Sequence, residues 1–142
     1  MSFMASLSKA EAEAFFKGVL EGVQRNERIL LAAFIGSRLV GTVQVLTAMP
    51  PNQPHRADVA KLLVLRQARG QGVASELMKC AEEISRLAGK TLLVLDTATG
   101  GVAEKLYTRL GWNRVGVVPR YALYPDGTWC DTTIFWKQLT SD

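Results

Sequence analysis

The sequence has few of the residues that build disulfide frameworks and metal clusters. Its 142 residues include two cysteines, Cys80 and Cys130, and a single histidine, His55. Two cysteines make neither a disulfide framework nor a metal cluster, and His55 stands alone in a proline-rich segment. The sequence therefore predicts two reduced, packed thiols and no bound metal. It favours a surface or substrate-wall position for His55 over a catalytic one.

Long hydrophobic runs are also absent. The longest apolar stretches, such as residues 29–35 and 92–95, are far shorter than the roughly 20 residues that a membrane-spanning helix needs. Residues 1–10 do not place an apolar run after a basic region, which is the pattern of a secretory signal. We therefore expect a cytoplasmic protein with no membrane segment.

The excess of one charge sign is small, since 17 Lys and Arg residues against 13 Asp and Glu residues give a net charge of +4. The basic residues gather at 61–69 and 105–120 and lack the interleaved aromatic residues of nucleic-acid-binding surfaces. This pattern favours a small anionic ligand, and we expect no nucleic-acid partner. Hydrophobic residues at 48% and charged residues at 21% suit an ordinary core, so we expect one domain over residues 1–142.

Hydrophobic periodicity predicts an alternation of helices and strands. Helices are predicted at residues 8–26, 72–88 and 103–110, and strands at residues 28–35, 39–46, 58–65, 91–95, 112–118 and 128–136. Gly36 and Ser37 predict a tight hairpin, and the proline-rich residues 48–56 predict a loop that forms one wall of a site. We expect a mixed α/β sheet in one layer with helices packed on it, and a strand at 91–95 that is covered on both faces.

Side-chain patterns also predict which residues are buried. The second helix should bury a stripe formed by Val73, Leu77, Cys80, Ile84 and Leu87. The three tryptophans, Trp112, Trp129 and Trp136, are expected in the core or on a sheet face.

Residues 64–74 run from a predicted strand directly into a helix through Gly70 and Gly72. Glycine lets the backbone approach a ligand closely, and the first N–H groups of a helix have no partner inside the helix. Together with the helix dipole, these N–H groups favour a phosphate. The spacing matches neither a P-loop nor the complete dinucleotide fingerprint, and an ordinary glycine-containing turn is the alternative.

A second segment makes the pattern more specific. The stretch Arg69-Gly70-Gln71-Gly72-Val73-Ala74 opens a helix, and a later helix carries Ala103-Glu104-Lys105-Leu106-Tyr107-Thr108-Arg109-Leu110-Gly111-Trp112. Together the two motifs resemble the acetyl-CoA-binding core of the GNAT superfamily of N-acetyltransferases, and the match spans residues 28–137. Residues 56–62, 95–97, 102–104 and 124–127 are further similar to the tabtoxin-resistance acetyltransferases.

The resemblance implies a GNAT-like mixed central sheet flanked by helices, with a site for acetyl-CoA or coenzyme A. Loop N–H groups would hold the pyrophosphate, and the pantetheine arm would pair like an extra strand between two parallel strands that splay apart. The splayed strands would be those at residues 58–65 and 91–96. The residues assigned to the cofactor are Leu62, Leu63 and Val64 for pantetheine, Arg69, Gly70, Gln71, Gly72, Val73 and Ala74 for pyrophosphate, and Tyr107.

The resemblance also implies an acyltransferase reaction in which an amine attacks the thioester directly, through a tetrahedral intermediate. A primary amine with a pKa of about 10 attacks only when neutral, so a carboxylate acting through water is the expected base. Asp58 and Asp96 lie on the two relevant strands, and the family commonly places a tyrosine at the position of Tyr107 to protonate the thiolate. A backbone N–H near Val64 would polarise the carbonyl. The structural alternatives are loop-bonding roles for both aspartates and a core position for Tyr107.

The expected acceptor is an amine of a small molecule, and the alternative is a CoA-binding or regulatory domain without transfer activity. Superfamily members usually begin with a strand and a helix ahead of the helix predicted at residues 8–26, and this sequence lacks room for them. Without that first strand, the strand at residues 28–35 would have an unpaired edge. We therefore expect a second subunit or an exchanged segment to cover this edge, as in a homodimer.

Overall fold

The computed structural model describes residues 27–139. In chain order its strands and α-helices are β1 (Arg28–Ile35), β2 (Arg38–Leu46), β3 (Arg56–Val64), α1 (Val73–Leu87), β4 (Leu92–Ala98), α2 (Val102–Arg109), β5 (Asn113–Leu123) and β6 (Trp129–Gln138), and a short 3-10 helix, Arg66–Ala68, lies between β3 and α1. Each strand and α-helix lies within a few residues of its predicted position, although β5 is longer than expected. The helix predicted at residues 8–26, and the expected absence of a strand before it, fall outside the described residues.

The six described strands form one sheet in the order β1-β2-β3-β4-β6-β5. β3 and β4 run parallel, and the other neighbouring pairs are antiparallel. A parallel pair needs a long crossover, and α1 supplies it. The prediction of a mixed α/β sheet with helices packed on it is confirmed.

The first hairpin forms where the sequence predicts it. Gly36 and Ser37 separate the register pair Ile35 and Arg38, and Gly36 has a φ of +63°. Two-residue hairpins that match the twist of the strands require such positive φ values, which glycine adopts without strain. Among the described strands, β1 pairs only with β2, so it is an edge of this part of the sheet.

Both described α-helices contribute to a single hydrophobic core. α1 packs against β1, β2 and β3, and α2 packs against β4. The core includes Val43, Val45, Ala57, Val59, Leu77, Met78, Leu93, Leu95, Leu106, Tyr107, Trp112 and Phe135. The approach of α1 to β2 is close at Gly41, where an added Cβ would lie 3.0 Å from Leu63 O and Leu77 Cδ1.

The buried face of α1 differs from the predicted stripe. Leu77 is buried as expected, but the other fully buried residues are Met78, Ala81 and Ser85. Ser85 can lie in the core because its hydroxyl donates to the carbonyl of Ala81 at 2.6 Å. The expected burial of Cys80 and Leu87 is wrong, since both side chains are exposed and Leu87 lies in the last turn. Cys130, in contrast, is buried as predicted.

β4 is covered unequally on its two faces. Leu93, Leu95 and Thr97 are buried on the face that packs against the helices. Leu92 and Val94 point the other way and are half-buried, and Asp96 on that face is exposed. The expectation that both faces of β4 are fully covered is therefore wrong for the face of Leu92, Val94 and Asp96. Both described α-helices pack on the opposite face of the sheet.

The tryptophans occupy the two kinds of position that the sequence predicts. Trp112 is buried in the core, where its ring lies 6.1 Å from that of Tyr107. Trp129 and Trp136 lie on β6 and are 60% and 38% exposed.

Candidate active site

The parallel strands β3 and β4 are paired over only three residues. Arg56 pairs with Leu92, Ala57 with Leu93 and Asp58 with Val94, and no later residue of β3 pairs with β4. The strands therefore separate toward their carboxyl ends, as the resemblance implied. Ligands bind at the carboxyl ends of such strands because backbone groups there are free to contact them.

A bulge at Lys61 changes the direction of the side chains along β3. Between the pairs Gln44–Ala60 and Thr42–Leu63, β3 contains one residue more than β2, and Lys61 has a φ of +58°. The buried residues are accordingly Ala57 and Val59 before the bulge, and Leu62 and Val64 after it. Bulges re-aim a strand and often lie beside active sites. The bulge thus shifts the alternation of residues along β3 by one position at residues 62–64, where the strands separate.

The loop between β3 and α1 has the geometry of an anion cradle. Gly70 and Gly72 have φ values of +81° and +80°, and a Cβ on either would meet no atom within 4 Å. Gly72 is the residue before α1, and no side chain caps this end of the helix. Within residues 27–139, no hydrogen bond to another backbone group occupies the N–H groups from Gly70 to Ala74. These free donors fit the pyrophosphate of a nucleotide cofactor.

Asp58 lies within β3, immediately before the strands separate. Arg56 Nη1 donates a hydrogen bond to Asp58 Oδ1, and Arg56 Nε donates to Gln53 Oε1 at 2.6 Å. The carboxylate is paired with an arginine of its own strand, and through Arg56 it is connected to Gln53 in the preceding loop. Its side chain remains 40% exposed, which leaves one side open to a ligand.

Asp96 lies on β4 beyond the point of separation, and its side chain is exposed. Thr132 Oγ1 on β6 donates to Asp96 Oδ2 at 3.4 Å, so the partner is not the following loop. Within residues 27–139, Asp96 forms no ion pair with a lysine or arginine. Asp96 therefore offers a carboxylate without a cationic partner in this part of the chain.

Tyr107 on α2 is 3% exposed, with its ring against Phe135 and Trp112. Burial, together with the negative charge of Asp96, raises the pKa of Tyr107 to about 12. Since the ring belongs to the core, the core position considered from the sequence is confirmed.

The sheet register groups side chains on the face opposite the two α-helices. Asp58 pairs with Val94, and Val94 pairs with Trp136, so these three side chains form a row across β3, β4 and β6. Asp96 and Ile134 form the next row on the same face. The carboxylates and an apolar surface are therefore neighbours.

Two other residues considered from the sequence have different outcomes. His55 is exposed in the loop before β3, where its carbonyl accepts hydrogen bonds from the N–H groups of Thr91 and Leu92. This position agrees with the surface or wall role. Lys90 closes the same loop by donating to the carbonyls of Thr47 and Pro54 at 3.1 and 2.8 Å, a role that the sequence did not predict.

Two structural features were not found among the described residues. Residues 27–139 contain no group of three or more His, Cys, Asp or Glu side chains that could hold a metal ion. No helix in the same range is long and apolar enough to cross a bilayer.

The model of the acetyltransferase (GNAT) family matches residues 3–112 of the chain. The chain belongs to this family. The matched range includes the cradle loop, both splayed strands and α2. Among curated proteins, N-acetyltransferase 8B from Rattus norvegicus is 35% identical over 83 residues, which are 57% of this chain and 37% of that protein. The GNAT chain thus aligns with little more than a third of that relative.

Solved structures share the GNAT fold over most of the chain. The ribosomal-protein-alanine N-acetyltransferase from Brucella melitensis superposes with a TM-score of 0.79 at 22% identity, over 89% of this chain and 78% of that one. A protein from Salmonella typhimurium, solved with its cofactor acetyl-CoA, gives a TM-score of 0.79 at 18% identity, over 91% of this chain and 75% of that one. These likenesses confirm the predicted fold class.

Proposed function

We propose that this GNAT chain is an acetyl-CoA-dependent N-acetyltransferase that moves an acetyl group to an amine of a small molecule. The observation that carries the proposal is the opening between β3 and β4. An anion cradle lies at one end of this opening, and Asp58 and Asp96 lie on the two strands that border it. A domain that only bound coenzyme A would not need two carboxylates beside the position of the thioester.

The donor site uses mainly backbone groups. The N–H groups of Gly70, Gln71, Gly72, Val73 and Ala74 would bind the pyrophosphate. The N–H of Arg69, which was also expected there, donates instead to the carbonyl of Arg66 at 3.2 Å. The edge of β3 that faces β4 is unpaired at Leu62, Leu63 and Val64, so these residues have backbone groups for the pantetheine amides. When bound, acetyl-CoA supplies the acetyl thioester, and a backbone N–H near Val64 would stabilise negative charge on the carbonyl oxygen.

Asp96 is the better candidate for the general base. Asp58 already accepts a hydrogen bond from Arg56, whereas Asp96 has no cationic partner in the described residues. The Cα atoms of Asp58 and Asp96 are about 8 Å apart, judged from strand spacing and rise, which leaves space for an ammonium group and a water molecule. We expect Asp58 to orient the ammonium and Asp96 to accept its proton through water.

Tyr107 would serve first as a hydrogen-bond donor to the departing sulfur. With a pKa of about 12, its full deprotonation by a thiolate with a pKa of about 8.5 would be uphill by about 5 kcal/mol. Asp96 contributes to that high pKa through its negative charge. When Asp96 accepts the proton of the amine, this contribution disappears, and Tyr107 becomes a stronger acid when the thiolate needs a proton.

Several finer assignments belong to the same proposal. They are membership of a subgroup similar to the tabtoxin-resistance acetyltransferases, an amine of a small molecule as the acceptor, and a cytoplasmic location. The open edge of β1 among the described strands supports a homodimer in which a second copy covers it.

The test is release of free thiol from acetyl-CoA in the presence of a panel of small primary amines. Asp96→Asn should lower kcat by about 100-fold or more, because general base catalysis contributes factors of this size. Its affinity for coenzyme A, measured by calorimetry, should be unchanged. Asp126→Asn, in the exposed turn between β5 and β6, is the matched control and should keep full activity. Coenzyme A binding without turnover of any amine would favour the binding-only alternative.

A further inference from the structure

We propose that the acceptor amine carries an apolar or aromatic group, which rests on Trp136 and Ile134 beside the two carboxylates. This inference depends on the proposed function, because it names the substrate class of the same site. Its basis is the register that aligns Asp58, Val94 and Trp136 across three neighbouring strands. One ligand lying on this face would therefore touch both acidic and apolar side chains.

The spacing suits a small aromatic amine. Trp136 lies on the strand next to Asp96 and two residues away along the register, so their Cα atoms are about 8 Å apart. An ammonium bound by the Asp96 carboxylate would leave an attached ring or alkyl chain over the indole. Ile134, the register partner of Asp96, extends this apolar surface beneath the bound amine.

The indole is available to a ligand. Trp136 is 38% exposed, and Val94 and Ile134 beside it are half-buried. The backbone of Trp136 is fixed by strand pairing on both sides, and its carbonyl also accepts a hydrogen bond from Asn113 Nδ2 at 3.4 Å. The ring is therefore presented by a rigid part of the sheet and not by a loop.

The side chains around Trp136 restrict the class of amine that could bind there. A single exposed aromatic ring is common on protein surfaces and would not define a site. Here the ring lies beside a carboxylate without a cationic partner in the described residues, and a tryptophan face attracts an ammonium group within about 6 Å. An amine rich in hydroxyl groups would lose water from those groups against Trp136 and Ile134 without gaining hydrogen bonds. An amine with an apolar substituent avoids this cost.

The test compares 2-phenylethylamine with ethanolamine as acceptors at saturating acetyl-CoA. We expect kcat/KM to be at least about tenfold higher for 2-phenylethylamine, in line with the size of aromatic and apolar contacts. Trp136→Ala should abolish this preference, and Trp136→Phe should retain most of it. Trp129→Ala is the matched control, because Trp129 lies on the same strand, is 60% exposed and pairs with Leu123 far from the carboxylates.

Calorimetric binding of 2-phenylethylamine to the CoA-saturated protein separates this inference from the proposed function. Binding that weakens in Trp136→Ala but not in Trp129→Ala, without any turnover, would support the amine subsite and overturn the acetyltransferase proposal. Turnover with the same preference in both variants, or a wild-type preference for ethanolamine, would overturn the subsite alone. Neither binding nor turnover would overturn both.

Discussion

Replacement of Tyr107 by phenylalanine should change how the stability of the protein depends on pH. A tyrosine in an unfolded chain has a pKa of about 10, whereas the pKa of Tyr107 in the fold is about 12. Between these values the unfolded state loses its proton and the folded state keeps it. The contribution of Tyr107 is therefore fully present below pH 10 and is lost as the pH rises toward 12.

The size of the effect follows from the linkage relation. At pH 11 the ionisation of the unfolded state should cost the wild type about 1.4 kcal/mol, and at pH 12 and above the loss approaches about 2.7 kcal/mol. Urea unfolding followed by circular dichroism at pH 8 and pH 11 measures this loss. Tyr107→Phe should lose about 1.4 kcal/mol less than the wild type over this interval. If both proteins lost the same unfolding free energy, the pKa of Tyr107 would not be raised. The proposed effect of Asp96 on that pKa would then be contradicted.

Three further variants test the fold and the site. Gly41→Val should lower the free energy of unfolding by about 1–3 kcal/mol, because atoms of β3 and α1 lie 3.0 Å from the added Cβ; an unchanged urea midpoint would contradict this. Lys90→Met should lower it by about 1–3 kcal/mol and speed proteolysis of the loop at residues 47–55, which loses two hydrogen bonds; equal cleavage rates would argue against this anchor. Arg56→Met should lower kcat/KM at least about tenfold by releasing Asp58, with coenzyme A affinity as the unchanged control. Weaker coenzyme A binding in Arg56→Met would instead point to general damage.

Local signals in the sequence were sufficient to predict most of the fold. The hairpin at Gly36, the crossover from β3 to β4 and the helix stops follow from glycine positions and from hydrophobic periodicity. The cradle loop was also predictable, because Gly70 and Gly72 are needed where the backbone takes positive φ values. These features depend on residues that are close together in the chain.

Features that depend on tertiary packing were not predictable in the same way. Lys61 adopts a positive φ at the bulge, and no glycine or asparagine marks this position. In α1 the predicted stripe is correct at Leu77, which is buried, and at Val73 and Ile84, which are partly buried against the core. It is wrong at its other two positions, which are exposed, and it misses the buried residues Met78, Ala81 and Ser85. Periodicity indicates that a helix has an apolar side, but the position of the sheet decides which residues meet it.

The contacts between side chains of the site could also be identified only from the structure. Asp58 and Asp96 were candidates because of the strands on which they lie, yet only the register shows that Trp136 belongs to the same face. The bond from Arg56 to Asp58 distinguishes the two carboxylates, and nothing in the sequence states which of them is paired.

The proposed donor site requires that the loop before α1 binds the pyrophosphate of acetyl-CoA. Calorimetric titration of acetyl-CoA into the wild type, Gly72→Leu and Gly89→Leu tests it directly. Both glycines have positive φ values, +80° and +84°, and open space around the Cβ position, but Gly89 follows the opposite end of α1. Gly72→Leu should weaken binding at least about tenfold, or 1.4 kcal/mol, while Gly89→Leu should bind like the wild type. Equal affinity in all three proteins would contradict it.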